Sequence, residues 1–235
     1  MTQAVNDLPG FDCIWTDPPY GVTYVGKTAD ALTIQSDTNG DDAIAVTTQA
    51  LTIAYQLAAP GAAFYVAHPA GALAPRFHKA MTDAGIRFKQ SLVWVKNTFA
   101  LGHADYHYRH EPILYGCKPA EGRVGRGSEY WYGDNAQDSV FEIPKPLANR
   151  EHPTMKPIEL VQAMLKNSCP RKGWVYDPFG GSGSTLMAAH GLGMNAVTVE
   201  LDPKYADVIC KRYQQATGQQ PAKNGKPNNF LEQED

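Results

Sequence analysis

Asp177-Pro178-Phe179-Gly180-Gly181-Ser182-Gly183-Ser184-Thr185 follows the apolar run Trp174-Val175-Tyr176 and leads into residues 184–191, which read as a helix. The stretch therefore joins a strand to a helix. Glycine lets the backbone turn sharply and lets a ligand approach with no Cβ in the way. The helix offers unpaired N–H groups and the positive end of its dipole, where a phosphate or carboxylate can sit. A Walker A loop is excluded, because no lysine precedes Ser184 or Thr185. The GxGxxG fingerprint also fails, since Leu186 stands where its third glycine belongs. Downstream, Val197-Thr198-Val199-Glu200 ends a second strand in an acid, roughly 20 residues on, where a carboxylate can accept from two ribose hydroxyls. A tight turn and a surface glutamate would need no ligand. Strand, glycine loop, helix and strand-ending acid together favour a nucleoside pocket.

The rest of the chain alternates in the same way. Phe11 to Thr16 is an apolar run stopped by Asp17-Pro18-Pro19. Residues 42–58 carry helical spacing ended by Pro60-Gly61, and Ala62 to Ala67 is a buried strand. Residues 72–84 form a helix with Leu73, Phe77, Ala80 and Met81 on one face and Gly85 as its C-cap. Ile86, Phe88, Leu92 and Trp94 follow a two-residue period and fall on one side of a strand. Glu111 to Tyr115 is a further strand. Residues 117–150 are rich in Gly, Arg, Asn and Pro and read as a loop-rich insertion. Order resumes with a helix from Pro157, burying Val161, Met164 and Leu165. A strand at Trp174–Asp177, a helix at 184–191, a strand at Asn195–Glu200 and a helix at 203–216 complete the pattern. The tail after Gly218 is polar and reads as frayed. The expected fold class is α/β, a mixed, mostly parallel sheet with helices on both faces and ligands at the carboxyl ends of its strands. Asp17 and Asp177 both end strands at such positions.

Composition bounds the classes. With 43% apolar and 19% charged residues, the 235-residue chain is an ordinary globular one. Cys13, Cys117, Cys169 and Cys210 are scattered, with no CxxC pair, and read as reduced thiols of a cytoplasmic protein. No secretory signal opens the sequence and no apolar stretch spans a bilayer, so no membrane role is expected. The net charge of −3 does not advertise a nucleic-acid partner.

Asp17-Pro18-Pro19-Tyr20 carries a specific chemistry. The Asp17 carboxylate and the Pro18 carbonyl are two acceptors on a stiff backbone, positioned before a substrate arrives. They suit a planar exocyclic amine. Binding both of its hydrogens favours a pyramidal nitrogen and frees the lone pair to attack a methyl donor. The nitrogen becomes more acidic as it attacks, so the hydrogen bonds strengthen in the transition state. Tyr20 offers a face on which a base can stack. A Pro-Pro turn closing a strand is the plainer reading of the tetrapeptide alone.

DPPY, DPFGGSGS and the run Glu151-His152-Pro153-Thr154-Met155-Lys156-Pro157, in that order, resemble the amino-group DNA methyltransferases. DPPY before the glycine loop resembles the family's circularly permuted beta arrangement. Trp94-Val95-Lys96, the segment from His107 to Tyr115 and Glu200-Leu201-Asp202-Pro203-Lys204-Tyr205 match as well. The resemblance implies a Rossmann-like fold and S-adenosylmethionine as cofactor. Asp177 and the glycine loop through Thr185 would hold its methionine part, Glu200 with Leu201 and Asp202 its ribose end, and Thr154 and Lys156 would close the methionine end. DPPY would hold a base extruded from double-stranded DNA, and transfer from a sulfonium needs no metal. The implied reaction is methylation of adenine N6, as in restriction-modification. Cytosine N4, an RNA or protein amide substrate, and a catalytically silent DNA-binding module stand as alternatives. The implied layout is one catalytic domain over 1–217, a target-recognition insertion at about 97–150 and a polar tail at 218–235.

Only about ten residues precede Phe11, and Val5 to Pro9 makes a poor strand. The edge strand that the family places beyond Glu200 is therefore expected to be short or absent, with a second subunit, as in a homodimer, as one way to cover the gap. On the DNA side the expected contacts are His107, Arg109, His110, Lys118, Arg123 and Arg126. Tyr130, Trp131 and Tyr132 lie among them, while Glu121, Glu129 and Asp134 nearly cancel the basic charge. His103, His107, His110 and Glu111 also allow a metal site, though the DNA-side reading explains the same residues.

Overall fold

The computed structural model describes residues 10–21, 39–99, 105–145 and 155–231. In chain order these form β1 (Phe11–Thr16), α1 (Gly40–Leu57), β2 (Ala58–Ala67), α2 (Ala74–Asp83), β3 (Arg87–Val95), β4 (His110–Cys117), β5 (Val140–Glu142), α3 (Ile158–Ser168), β6 (Trp174–Asp177), α4 (Ser184–Gly191), β7 (Asn195–Thr198) and α5 (Pro203–Thr217). The strands make one seven-stranded sheet in the order β5-β3-β4-β2-β1-β6-β7. β1 pairs in parallel with both β2 and β6, β6 with β7, and β3 with β5. β4 alone runs against its neighbours, β2 and β3. This is the mixed, mostly parallel sheet expected from near-continuous apolar strands separated by helices.

Both faces are buried. On one, Trp15, Tyr65, Leu92 and Trp94 meet Leu160, Val161, Met164 and Leu165 of α3 and Ala188 and Ala189 of α4. On the other, Ile14, Phe64 and Val66 meet Leu51 and Ala54 of α1 and Phe77 and Met81 of α2. Each large apolar side chain so buried contributes about 1.5–3 kcal/mol. The caps follow local chemistry. The Asn39 side chain accepts from the Asp41 and Asp42 N–H groups at the start of α1, and Asp202 accepts from Lys204 N–H at the start of α5. No helix among the described residues is long and apolar enough to cross a membrane.

Several expectations need correction. Pro60-Gly61 does not end α1, which stops at Leu57. Instead β2 begins at Ala58 and carries both residues through a register shift against β1, between the pairs Phe11–Ala58 and Cys13–Ala63. Ala84 caps α2, and Gly85 follows it at φ 88°. The two-residue period of β3 is broken by a bulge between Phe88 and Gln90. One extra residue flips every later side chain to the opposite face. Ile86 and Phe88 therefore join the α1–α2 core, whereas Leu92 and Trp94 join the α3–α4 core.

The insertion contributes a strand. β5 adds to the edge of β3, and the buried Trp94 indole N–H donates to the Ile143 carbonyl at 2.7 Å just beyond it. A buried indole needs such an acceptor. Beyond Glu200 the chain turns at Asp202 directly into α5, so β7 is the outermost strand on that side among the described residues; Val5 to Pro9 lies outside them. Residues 219–231 are ordered rather than frayed: β8 (Ala222–Lys223) and β9 (Lys226–Pro227) form a hairpin. Asn224 and Gly225 both adopt positive φ in its turn. Phe230 is then buried, its N–H bonded to the Gln214 side chain at 2.9 Å.

Candidate active site

β1 and β6 are neighbours running the same way, so Asp17 and Asp177 leave the same edge of the sheet side by side. The glycine loop is held by backbone hydrogen bonds, one to the residue after β7 and one within the loop. Gly180 N–H donates to the Val199 carbonyl at 2.7 Å, and Gly183 N–H to the Gly180 carbonyl at 2.8 Å. Gly183 sits at φ 83° with Ile209 of α5 pressed against it. A side chain there would meet both strain and contact. The Asp177 carboxylate accepts from Phe179 N–H at 3.0 Å and from the Thr185 hydroxyl at 2.5 Å. Burial nevertheless pushes its pKa up to about 7. Glu200 accepts from Gly181 N–H at 2.7 Å and from Asp202 N–H at 3.0 Å. Each Glu200 oxygen thus meets one protein donor and keeps a second lone pair for a ligand hydroxyl.

Around Asp17 the structure assembles a buried ionic cluster. Lys156 Nζ lies 2.5 Å from Asp17 Oδ2 and 3.1 Å from Glu111 Oε2. Lys96 Nζ lies 2.5 Å from Glu111 Oε1. The Tyr20 hydroxyl donates to Asp17 Oδ1 at 2.9 Å, with Glu111 Oε2 at 3.3 Å. Burial disfavours an ionised Glu111, but Lys156 and Lys96 outweigh it and bring its pKa down to about 2. Burial would likewise lower Lys156, but Asp17 and Glu111 raise it above the ordinary lysine range. Asp17 itself is raised, by burial first, with Lys156 opposing. Burial and the two carboxylates hold Tyr20 as a neutral phenol.

Lys156 is therefore not confined to the glycine loop. Its ammonium meets DPPY, and only its carbonyl faces the loop, accepting the Ser184 hydroxyl at 3.0 Å. Thr154 lies outside the described residues. Asp202 spends its side chain on capping α5, and Leu201 is largely exposed. Lys96 was missed as a site residue, and Glu111 was weighed only as a metal ligand; the signal was a glutamate standing at the head of the otherwise apolar strand β4.

The expected DNA-side residues separate into two groups. His107, Arg109 and His110 precede or open β4 beside Val95, at the end of the sheet that carries Asp17. His107 stacks on Phe99 at 5.1 Å, and Glu111 turns inward to the lysines. His103 lies outside the described residues, and among those described no group of three His, Cys, Asp or Glu is placed to hold a metal. Lys118, Arg123 and Arg126 go elsewhere. Because β4 is antiparallel, its eight residues carry the chain about 24 Å away, to the amino ends of β2 and β3. There Lys118 Nζ donates to the carbonyls of Tyr55 at 2.8 Å and Ala58 at 2.7 Å, closing the end of α1. Lys89, near the amino end of β3, bonds the Val124 carbonyl between Arg123 and Arg126. The Arg126 guanidinium reaches the Asn135 carbonyl at 3.3 Å. These three cations are not brought to the site.

The fold agrees with those of known proteins. Residues 11–211 match the family model of the N6/N4 DNA methylases. The type II methyltransferase M.BglI of Bacillus subtilis is 27% identical over 148 residues, 58% of this chain and 42% of that protein. The match thus spans less than half of that relative. Among solved structures, M1.HpyAVI in complex with SAM superposes with a TM-score of 0.64 at 20% identity, covering 86% of this chain and 88% of that one. The PvuII DNA methyltransferase, described as cytosine-N4-specific, gives 0.66 at 13% identity, covering 87% and 80%. At these identities the structural likeness concerns the fold, whereas the family match covers most of the chain. The chain belongs to the N6/N4 DNA methylase family.

Proposed function

We propose that the chain is an S-adenosylmethionine-dependent methyltransferase acting on the N6 amino group of a flipped adenine in double-stranded DNA, in the cytoplasm. The observation that carries this reading is the meeting of the two motifs: Asp17 and Asp177 end adjacent parallel strands, and Lys156 touches DPPY with its ammonium and the glycine loop with its carbonyl. The donor set fits the cofactor. Glu200 has lone pairs for ribose hydroxyls at the edge of the loop, and Asp177 is an acid for a cationic amino-acid group. When bound, the cofactor supplies a methyl group activated on a sulfonium.

The chain's own groups orient the acceptor. Asp17 Oδ and the Pro18 carbonyl take the two amino hydrogens, so the nitrogen lone pair turns out of the ring plane toward the methyl carbon. With the carbon–sulfur bonding pair left on the cofactor, the amino nitrogen held by Asp17 and Pro18 would turn cationic as its new N–C bond forms. Asp17 then binds it most strongly, which lowers the barrier rather than the ground state. The surplus proton leaves the methylated nitrogen through the same carboxylate to solvent. Alignment supplies much of the remaining rate.

The likeness to a cytosine-N4-specific enzyme supports a second reading, since the same acceptors suit cytosine N4. The test is transfer of labelled methyl to plasmid DNA and to RNA, followed by nucleoside digestion and mass spectrometry. N6-methyladenine from DNA is expected. N4-methylcytosine alone overturns the choice of base, faster transfer to RNA overturns DNA as substrate, and no transfer to either overturns the enzymatic reading.

A further inference from the structure

Signs alternate along one line of buried contacts: Lys96 to Glu111 at 2.5 Å, Glu111 to Lys156 at 3.1 Å, Lys156 to Asp17 at 2.5 Å. The side chains are mostly buried, from 8% exposed for Lys156 to 23% for Asp17. The Tyr20 hydroxyl spans the two carboxylates. An acceptor held against a lysine of its own is a weak acceptor for anything else, because the ammonium has already claimed its charge. Glu111 draws on the same ammonium. Its charge also repels that of Asp17, adding to the upward push of burial on the Asp17 carboxyl. Lys96 balances Glu111, so the four groups sum to neutrality and Glu111 remains ionised.

Resting on the reading of Asp17 as the acceptor for the amino group, we infer that Glu111 is a positioning residue: it divides the Lys156 ammonium between two carboxylates and steadies the Tyr20 hydroxyl, so that Asp17 presents one fixed, strong acceptor edge to the base. It acts through Asp17, not on the base.

The test uses Glu111→Gln, Glu111→Asp and the double variant Lys96→Met/Glu111→Gln. The double variant restores neutrality and stays folded even if the lone Gln variant, with Lys96 left unbalanced, does not; thermal melts check this. Two readouts apply: the titration of the Asp17 carboxyl by carbon NMR in the protein without nucleic acid, and kcat against pH on plasmid DNA. In the Gln-bearing variants Asp17 titrates at lower pH than in the wild type, because the repelling charge is gone. The acid limb of kcat moves down with it, and the plateau falls by about tenfold or more, the loss of one charge-assisted hydrogen bond. Cofactor affinity stays at the wild-type value, and Glu111→Asp recovers part of kcat. An unmoved Asp17 titration, or wild-type kcat in the double variant, overturns the inference. If the wild-type protein transfers no methyl group, the proposed function fails, and the NMR titration still decides whether Glu111 governs Asp17.

Discussion

Lys156 reaches Asp17 at 2.5 Å across 139 positions of sequence, and its carbonyl accepts the Ser184 hydroxyl at 3.0 Å. One residue in the connector before α3 thus ties the loop after β1 to the loop after β6. The two halves of the site cannot shift independently without breaking a buried ion pair, whose loss of one partner leaves a charge uncompensated.

Replacing Asp17 by Ala separates the two halves functionally. The glycine loop keeps all of its own hydrogen bonds, so cofactor affinity by calorimetry stays near the wild-type value. Lys156 retains Glu111 as a partner. Methyl transfer falls by about 10²–10³-fold, the usual effect of removing a transition-state hydrogen-bond partner. Activity near that of the wild type would remove Asp17 from the mechanism.

Glu200→Ala acts on the other half. The variant loses the acceptor for Gly181 N–H and Asp202 N–H together with the proposed ribose acceptor. Hydrogen bonds to a charged group contribute about 1.5–3 kcal/mol each, so cofactor affinity drops by at least about tenfold. Calorimetry measures this directly, and an unchanged dissociation constant would place the ribose elsewhere.

What was legible in the sequence is what depends on short range. The strand–turn–helix at Asp177 to Thr185, the acid at Glu200 and the proline stop at Asp17 are local signals; the first and last stand where they were expected, and Glu200 stands two residues past the end of β7 rather than in the strand. What was missed depends on long-range geometry. Nothing in the neighbourhood of Lys96, Glu111 or Lys156 says which buried charge will meet which. The bulge at Phe88 inserts a residue without any glycine or proline to announce it. The placement of Lys118, Arg123 and Arg126 turned on the direction of β4, which a two-residue period does not encode. Local composition made residues 117–150 read as a recognition loop, while the antiparallel strand sends the first part of it to the far end of the sheet.

Asp177 gives the fold a pH dependence with a definite sign. Burial raises its carboxyl to about 7 from an ordinary value of 3.8. Between those values the folded protein binds more protons than the unfolded chain, so stability falls as pH rises through this window and levels off above it. Asp177→Asn has no such titration. The melting temperature of the Asn variant relative to the wild type therefore increases from pH 4 to pH 8, and a difference constant over that range would show that the carboxyl titrates normally.

Gly61→Ala tests how the segment following β4 is held. Gly61 adopts φ 82°, and its N–H donates to the Lys118 carbonyl at 3.2 Å. A Cβ there would stand 2.3 Å from ring atoms of Tyr130. The positive φ alone costs about 1–3 kcal/mol in an L-residue, and the ring must leave its seat on the strand. Trp131, packed against the α3–α4 core, and Tyr132, whose N–H donates to the Asn167 carbonyl at 2.9 Å, are displaced with it. Stability falls by about that amount in a denaturant melt, and trypsin cuts at Arg123 and Arg126 faster than in the wild type while the helices remain resistant. The Asp17 cluster lies at the opposite end of the sheet, so the Asp17 titration does not move. Equal cleavage rates in variant and wild type would mean that the contact between Tyr130 and Gly61 does not hold the segment in place.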